Sequence, residues 1–206
     1  MNTENDIKIA LATSEELFKM AMAVRRQVFV KEQSIPENKE FDGNDFCATH
    51  VIAYIQKRHR KLPIGTMRIR YFADFVKFER MGVTRNFRKT NVAQDIMQYG
   101  FDYVAAKGYK NVYGMCKQDL LPRWEQCGYY AIDGAEKIEF NGMTLVPIKR
   151  DLPKNPRSLT MTSDPSLLVA PEGHWFDEKN EPEKKLSKYD KLILQLKQKR
   201  QQYFNF

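Results

Sequence analysis

The sequence predicts an α/β domain, because short apolar runs of strand length alternate with segments of helical period. The clearest pair is the run from Val76 to Val83, followed by apolar residues at helical spacing after Asn91. The dipeptide Asn141-Gly142, a strong two-residue turn signal, adds a hairpin near the end of this pattern. With 206 residues, the chain is long enough for one domain with a full core and an appendage.

The first elements predicted are a strand over residues 7–12 and an amphipathic helix that follows it. Thr13 and Glu16 have the spacing of a capping box, which predicts Thr13 as the N-cap of this helix. Two further strands are predicted over residues 49–56 and 65–71. The basic run between them, residues 57–63, is predicted to be a hairpin loop.

The elements after the strand 76–83 are predicted in the same way. Gly108 is the expected stop of the helix that begins near Asn91. Next come a strand over residues 111–115 and a short helix over 120–127. The Asn-Gly hairpin then completes the domain.

A basic turn separates the strand 76–83 from the helix after Asn91. Residues 84–91 contain no aliphatic side chain and carry three cations. The first turn of a helix has backbone N–H groups without intrahelical acceptors, so these donors would lie among positive charges. The turn therefore predicts an anion site, although a solvated basic turn explains the pattern about as well.

This strand, turn and helix resemble the acyl-CoA-binding core of the GNAT acyltransferase superfamily. Its loop pattern, Gln/Arg-x-x-Gly-x-Gly/Ala, is matched by Arg88, Asn91 and Ala93, with Asn91 in the first glycine position. We expect Asn91 to replace that glycine at a positive φ. The resemblance implies a mixed, mostly antiparallel sheet flanked by helices, and coenzyme A, as acetyl-CoA or another acyl-CoA, bound by these residues: Met81, Gly82, Val83, Arg88, Lys89, Thr90, Asn91, Val92 and Ala93.

Three carboxylates lie close together in the segment after the first helix, at Glu40, Asp42 and Asp45. A polar turn around Asp42-Gly43 is the simpler explanation from spacing alone. With Arg25 and Phe29 the triplet resembles one bacterial branch of small GNAT acetyltransferases. Together with a later arginine it also resembles acyl-homoserine-lactone and N-acyl amino acid synthases. Both resemblances imply a substrate-binding set: Arg25, Phe29, Glu40, Asp42, Asp45 and Arg68, in which the carboxylates hold either a cationic acceptor or the two arginines.

The resemblance also directs attention to three candidate catalytic residues. Glu79 on the central strand is the first candidate base, and Glu32 is the second. Trp124 occupies the position at which the family often has a tyrosine that protonates the departing thiolate. An indole N–H donates a hydrogen bond but does not release its proton at neutral pH. Either another group or water protonates the sulfur, or the thiolate leaves unprotonated.

The implied function is transfer of an acyl group, foremost acetyl, from acyl-CoA to a primary amine of a small molecule. One alternative is an N-acyl synthase that takes its donor from an acyl carrier protein, and another is a non-catalytic CoA-binding module. The net charge of +8 suits an anionic ligand or an acidic carrier protein. The sequence has no interleaved basic and aromatic motif that would indicate a specific nucleic-acid partner.

The predicted organisation is a catalytic domain over residues 1–152, an irregular connector over 153–182 and a basic amphipathic helix within 183–206. That helix would dock on its own domain or form a homodimer. No apolar run approaches the roughly 20 residues that span a bilayer, and the polar start does not resemble a secretory signal, so we expect a cytoplasmic protein. Three cysteines and three scattered histidines give neither a disulfide framework nor a metal site.

Overall fold

The computed structural model describes residues 7–58, 60–140 and 142–176. The chain divides into two compact units, residues 1–169 and 170–206. The described residues of the first unit contain all the helices and strands discussed below, and residues 170–176 of the second include a Trp175 ring that lies edge-on to Phe176. The predicted boundaries at 152 and 182 stay predictions, and the predicted helix within 183–206 lies outside the described residues.

The predicted α/β domain with a mostly antiparallel sheet and flanking helices is confirmed. Its strands and helices are β1 Ile7–Leu11, α1 Glu15–Arg25, α2 Glu37–Glu40, β2 Thr49–Lys57, β3 Arg60–Tyr71, β4 Val76–Val83, α3 Val92–Ala106, β5 Asn111–Lys117, α4 Leu121–Gln126, β6 Tyr130–Ala131, β7 Ile138–Phe140, β8 Met143–Asp151 and α5 Pro165–Val169. A single π-helical turn, Arg26–Lys31, continues α1. The sheet order is β1-β2-β3-β4-β5-β8, and the short strands β6 and β7 both pair with β8.

Neighbouring strands are antiparallel except for β4 and β5. This parallel pair requires a crossover, which α3 provides. Only two residues of β4 pair with β5, Val76 with Val112 and Lys77 with Tyr113. Beyond Lys77 the two strands therefore diverge and leave an opening at the middle of the sheet.

Helices α1 and α3 pack on opposite faces of the sheet. On the α3 face, the absence of a side chain at Gly100 lets the helix approach β3 and β4: a Cβ there would lie 2.5 Å from the Met67 Cε atom and 3.1 Å from the Phe78 ring. On the other face, Gly82 of β4 packs under the Phe29 ring of the π-helical turn, where a Cβ would lie at 3.2 Å. Both contacts border the opening between β4 and β5.

Strand β4 carries a bulge next to this opening. Thr66 of β3 lies opposite Gly82, whereas Arg68 lies opposite Glu79, so β4 has one residue more than β3 over this stretch. Arg80 takes up the difference at φ 53°, a left-handed conformation that costs an L-residue about 1–2 kcal/mol. The bulge turns the side chain of Arg80 towards the α1 side of the sheet.

Three local predictions are wrong. Ser14, not Thr13, is the N-cap, and its hydroxyl accepts a hydrogen bond from the Leu17 amide at 3.3 Å. The basic run 57–63 is mostly strand, because the β2–β3 ladder continues to a Lys57–Arg60 pair. Asn91 has φ −77°, so the turn before α3 does not need a residue that tolerates positive φ.

Candidate active site

A cavity of about 230 Å³ occupies the opening between β4 and β5. The apolar part of its lining, called the apolar wall below, includes four methionines, whose flexible side chains can adapt to ligands of different shape. The polar part of its lining, called the polar wall below, lies on the α1 side of the sheet. The apolar wall is lined by Phe29, Ile35, Met67, Phe78, Met81, Met97, Met115 and Trp124. The polar wall is lined by Gln33, Glu40, Glu79 and Arg80.

Behind the polar wall lies a buried ion network centred on Arg25 of α1. This side chain is fully buried, and its guanidinium donates to Glu40 Oε1 at 2.6 Å, to the Glu40 carbonyl and to Asp45 Oδ1. It also stacks on the Phe41 ring at 5.1 Å. A buried arginine needs such complete pairing, because an uncompensated charge in the interior costs several kcal/mol.

Arg68 of β3 is the second fully buried arginine of the network. It donates to Asp45 Oδ1 and Asp42 Oδ1, each at 2.7 Å, and to Glu79 Oε1 at 2.9 Å. Hydrogen bonds from Arg68 hold the pKa of the Asp42 carboxyl far below its usual range. Asp45 thus bridges the two arginines, and the acidic loop is fastened to the sheet beneath it.

Glu79 joins this network to the cavity. Its side chain is 10% exposed, and its Oε2 atom lies 3.1 Å from the Lys77 ammonium. Burial raises the pKa of the Glu79 carboxyl, but Lys77 and Arg68 outweigh it and hold the pKa below the usual range. The carboxylate is therefore ionised at neutral pH and able to accept a hydrogen bond from a ligand amine or a water molecule.

The basic turn follows the C-terminal end of β4, and its residues Arg85–Phe87 form a 3₁₀ turn before α3. Its side chains are largely exposed. The first intrahelical bond of α3 runs from the Asp95 amide to the Asn91 carbonyl, and within the described residues the amides of Ala93 and Gln94 have no acceptor. Free N–H groups at the positive end of a helix dipole bind anions.

Arg88 of this turn is paired with Glu32, which follows the π-helical turn. The Arg88 guanidinium donates to Glu32 Oε2 and, at 3.0 Å, to the Val83 carbonyl. The hydrogen bond from Arg88 lowers the pKa of the Glu32 carboxyl. The sequence analysis predicted that Arg88 binds the donor and that Glu32 is a candidate base, and the two side chains are in direct contact.

No protein-family model matches the sequence. The uncharacterized N-acetyltransferase YjcF of Bacillus subtilis is 29% identical over 134 residues, which are 65% of this chain and 92% of that protein. A proposed N-acetyltransferase from Lactobacillus plantarum has the same fold, with a TM-score of 0.65 and 25% identity, over 72% of this chain and 99% of that one. In sequence and in fold the chain is therefore similar to N-acetyltransferases of the GNAT superfamily.

The resemblance to acyl-homoserine-lactone synthases holds for the fold. The CoA-dependent acyl-homoserine lactone synthase BjaI superposes with a TM-score of 0.58 and 15% identity, over 72% of this chain and 84% of that one. This likeness confirms the shared GNAT fold and leaves the acceptor of the present chain open. Among the described residues of this chain, no helix combines the length and apolar character needed to cross a bilayer.

The structure divides the predicted GNAT site residues into three groups. Five of them line the cavity: Glu79, Glu40, Phe29, Met81 and Trp124. Arg25, Arg68, Asp42 and Asp45 form the ion network behind its wall, and Arg25 and Arg68 have no exposed surface. The loop residues predicted for CoA lie at the start of α3. Their catalytic, substrate and cofactor roles stay predictions.

Trp124 lines the cavity from α4, and its ring packs edge-on to Tyr129 with centroids 5.2 Å apart. Tyr129 packs in turn against Phe101, and its own buried hydroxyl lacks a hydrogen-bond partner in the described residues. Burial holds the pKa of the Tyr129 hydroxyl well above its usual range. Trp124 thus forms part of the cavity wall, and its ring is held by packing against Tyr129.

The cavity residue that sequence reasoning missed is Arg80. Its neighbours in sequence gave no signal, because a single arginine in a strand is ordinarily a solvated residue. The bulge that directs it into the wall depends on the register of β3 against β4. Three of the four methionines of the apolar wall, Met67, Met97 and Met115, were missed for a related reason, since they come from β3, α3 and β5 and only the fold brings them together.

Proposed function

We propose that this GNAT protein transfers an acetyl group from acetyl-CoA to the primary amine of a small molecule. The observation that carries the proposal is that the opening between β4 and β5 lies beside the basic turn at the start of α3. The turn would bind the diphosphate of CoA through the free amides of Ala93 and Gln94, together with Lys89 and Arg88. The thioester end would then extend along β4 into the cavity.

In the proposed reaction the neutral amine attacks the thioester carbonyl, a C–N bond forms and the C–S bond breaks. The ammonium proton passes to Glu79 or, through an ordered water molecule, to solvent. Coenzyme A leaves as the thiolate. Trp124 can donate a hydrogen bond but no proton, so water or the acceptor supplies the proton that the sulfur finally takes up.

The dimensions of the cavity favour a short acyl group. Its volume of about 230 Å³ must hold both the acyl group and the reacting end of the acceptor. Trp124 and Met115 border the cavity on the β5 side. A long acyl chain would have to displace one of them.

The test is release of the CoA thiol when acetyl-CoA is mixed with a panel of primary amines. We expect Glu79→Gln to lower kcat by about 10²–10⁴, the usual contribution of general acid–base catalysis, with the Kd for acetyl-CoA unchanged. Glu32→Gln, which alters the residue paired with Arg88, is the matched carboxylate variant and should retain kcat. Full activity of Glu79→Gln would remove Glu79 from the reaction.

The donor is tested separately by thermal shift with acetyl-CoA, octanoyl-CoA and CoA. A ligand at about 100 times its Kd stabilises the folded state by about 2.7 kcal/mol. Stabilisation by acetyl-CoA and CoA is expected. If no form of CoA binds while an acylated carrier protein supports the reaction, the donor is carrier-borne and the acetyl-CoA proposal is wrong.

A further inference from the structure

Two atoms at the polar wall of the cavity are buried and lack a hydrogen bond within the described residues: Glu40 Oε2 and Arg80 Nε. They lie 2.9 Å apart and attract one another electrostatically, but their geometry does not make a hydrogen bond. The Glu40 residue is 1% exposed, so this is not an ordinary surface ion pair. Buried polar atoms without a hydrogen bond are uncommon in folded proteins, and each one calls for an explanation such as a catalytic role, an ordered water or an ion.

The two groups require opposite kinds of hydrogen-bonding partner. A carboxylate oxygen accepts, so Glu40 suits an N–H group of an amine. A guanidinium donates, so Arg80 suits a carboxylate, which it binds with well-defined geometry. A ligand that satisfies both groups at once carries an amine and a carboxylate a short distance apart.

The charge balance of the wall leads to the same class of ligand. The carboxylates of the network do not outnumber its cations: Glu40, Asp42, Asp45 and Glu79 lie against Arg25, Arg68, Lys77 and Arg80, and the partly exposed Arg70 lies 4.0 Å from Glu79. A simple alkylammonium would add an uncompensated positive charge to this partly desolvated site, whereas a zwitterion adds none.

Arg80 is also held in the conformation that this role requires. Its backbone has φ 53° at the β4 bulge, and its guanidinium donates to the Lys39 carbonyl at 3.2 Å. A non-glycine residue kept in this region of φ is a recurrent feature of ligand sites, where the surrounding structure compensates for the cost. The side chain is 27% exposed, so one part of it remains open to the cavity.

From this geometry we infer that the acceptor is an α-amino acid, whose carboxylate binds Arg80 and whose amine lies against Glu40 and Glu79. The inference rests on the proposed function, because it names the acceptor of that reaction. Arg80 is then the residue that determines acceptor specificity, and the apolar residues Phe29 and Ile35 of the same cavity receive the acceptor side chain.

The experiment compares three acceptors of similar shape with acetyl-CoA as donor: leucine, leucinamide and 3-methylbutylamine. We expect leucine to have the highest kcat/KM. Leucinamide has the less basic amine and is more fully neutral at a given pH, so a preference for leucine cannot arise from amine ionisation. Equal or higher kcat/KM for leucinamide would overturn the inference.

The variant is Arg80→Asn, because asparagine tolerates positive φ and keeps the bulge. We expect KM for leucine to rise about ten- to a hundredfold, the range for a lost charge-assisted hydrogen bond, and the leucine to leucinamide ratio to collapse towards one. The control is Arg26→Asn, an arginine paired with Glu37 outside the cavity, which should leave that ratio unchanged.

Two readouts separate the possible failures. Calorimetric titration of each variant with acetyl-CoA and the melting temperature report whether donor binding and fold are intact. If amines are acetylated but leucine and leucinamide do not differ in the native protein, the acceptor inference fails and the proposed function stands. If acetyl-CoA binds but no amine at all is acetylated, the proposed function fails and the acceptor inference fails with it.

Discussion

The ion network under α1 and the basic turn before α3 are both dense in charge, yet they differ in whether those charges are paired and buried. In the network every arginine is paired with carboxylates, and Arg25 and Arg68 are fully buried. In the turn, Arg85 and Lys89 are exposed, and the amides of Ala93 and Gln94 at the start of α3 have no acceptor within the described residues. In the first region the guanidinium groups of Arg25 and Arg68 donate their hydrogen bonds within the protein, whereas the second region leaves backbone donors without an acceptor among the described residues.

The comparison teaches that charge density in a sequence does not by itself mark a binding site. A neutralised, buried network stabilises one arrangement of the backbone and is costly to disturb. An exposed set of like charges contributes little to folding and much to the capture of an anion. The cavity lies between the two regions and has one wall fixed by the network.

The largest expected effect follows from breaking the network at Arg68. Arg68→Met takes one ionic partner from each of three carboxylates, Asp42, Asp45 and Glu79, and we expect the free energy of unfolding to fall by about 3–5 kcal/mol. Arg70→Met is the control on the same strand, because Arg70 is one-third exposed and 4.0 Å from Glu79. Urea denaturation measures both. A loss for Arg68→Met no larger than that for Arg70→Met would show that the network is not stabilising.

The next effect concerns ligand binding at the basic turn. Arg88→Glu should weaken CoA binding by about 1–3 kcal/mol, the range for a charge-assisted hydrogen bond, and should leave the melting temperature nearly unchanged. Isothermal titration calorimetry measures the affinity. Because Arg88 contacts Glu32, Glu32→Gln is a useful companion: it frees Arg88 and should not weaken CoA binding. Unchanged affinity in Arg88→Glu would exclude this side chain from the site.

The smallest effect is expected at Asp42, the network carboxylate nearest to solvent, with 27% of its side chain exposed. Asp42→Asn should cost about 1 kcal/mol or less, as for other partly exposed ion pairs. Because the pKa of Asp42 is lower in the folded state than in the unfolded chain, its stabilisation is present above the unfolded pKa near 4 and is lost as pH falls. Native stability should therefore decrease more steeply than that of Asp42→Asn on acidification below pH 4. Parallel pH profiles would contradict the pairing of Asp42 with Arg68.

The sequence determined by itself the elements whose signals are local. The strand 76–83, the helix that stops at Gly108 and the hairpin of β7 and β8 are set by apolar periodicity and turn chemistry, which act over a few residues. The basic turn before α3 was recognisable for the same reason. Ser14 rather than Thr13 as the N-cap shows the limit, because adjacent hydroxyl residues offer the same capping chemistry and packing of α1 selects between them.

Tertiary structure alone decided the roles of the charged residues. The acidic triplet allowed two partners, a ligand or the arginines Arg25 and Arg68, and the packing of α1 on β3 brought both arginines within 3 Å of the carboxylates. Arg80 entered the cavity only because β4 gains a residue against β3. Burial and strand register depend on contacts between residues distant in sequence, and those contacts determine which charges are neutralised inside the protein and which remain available to a ligand.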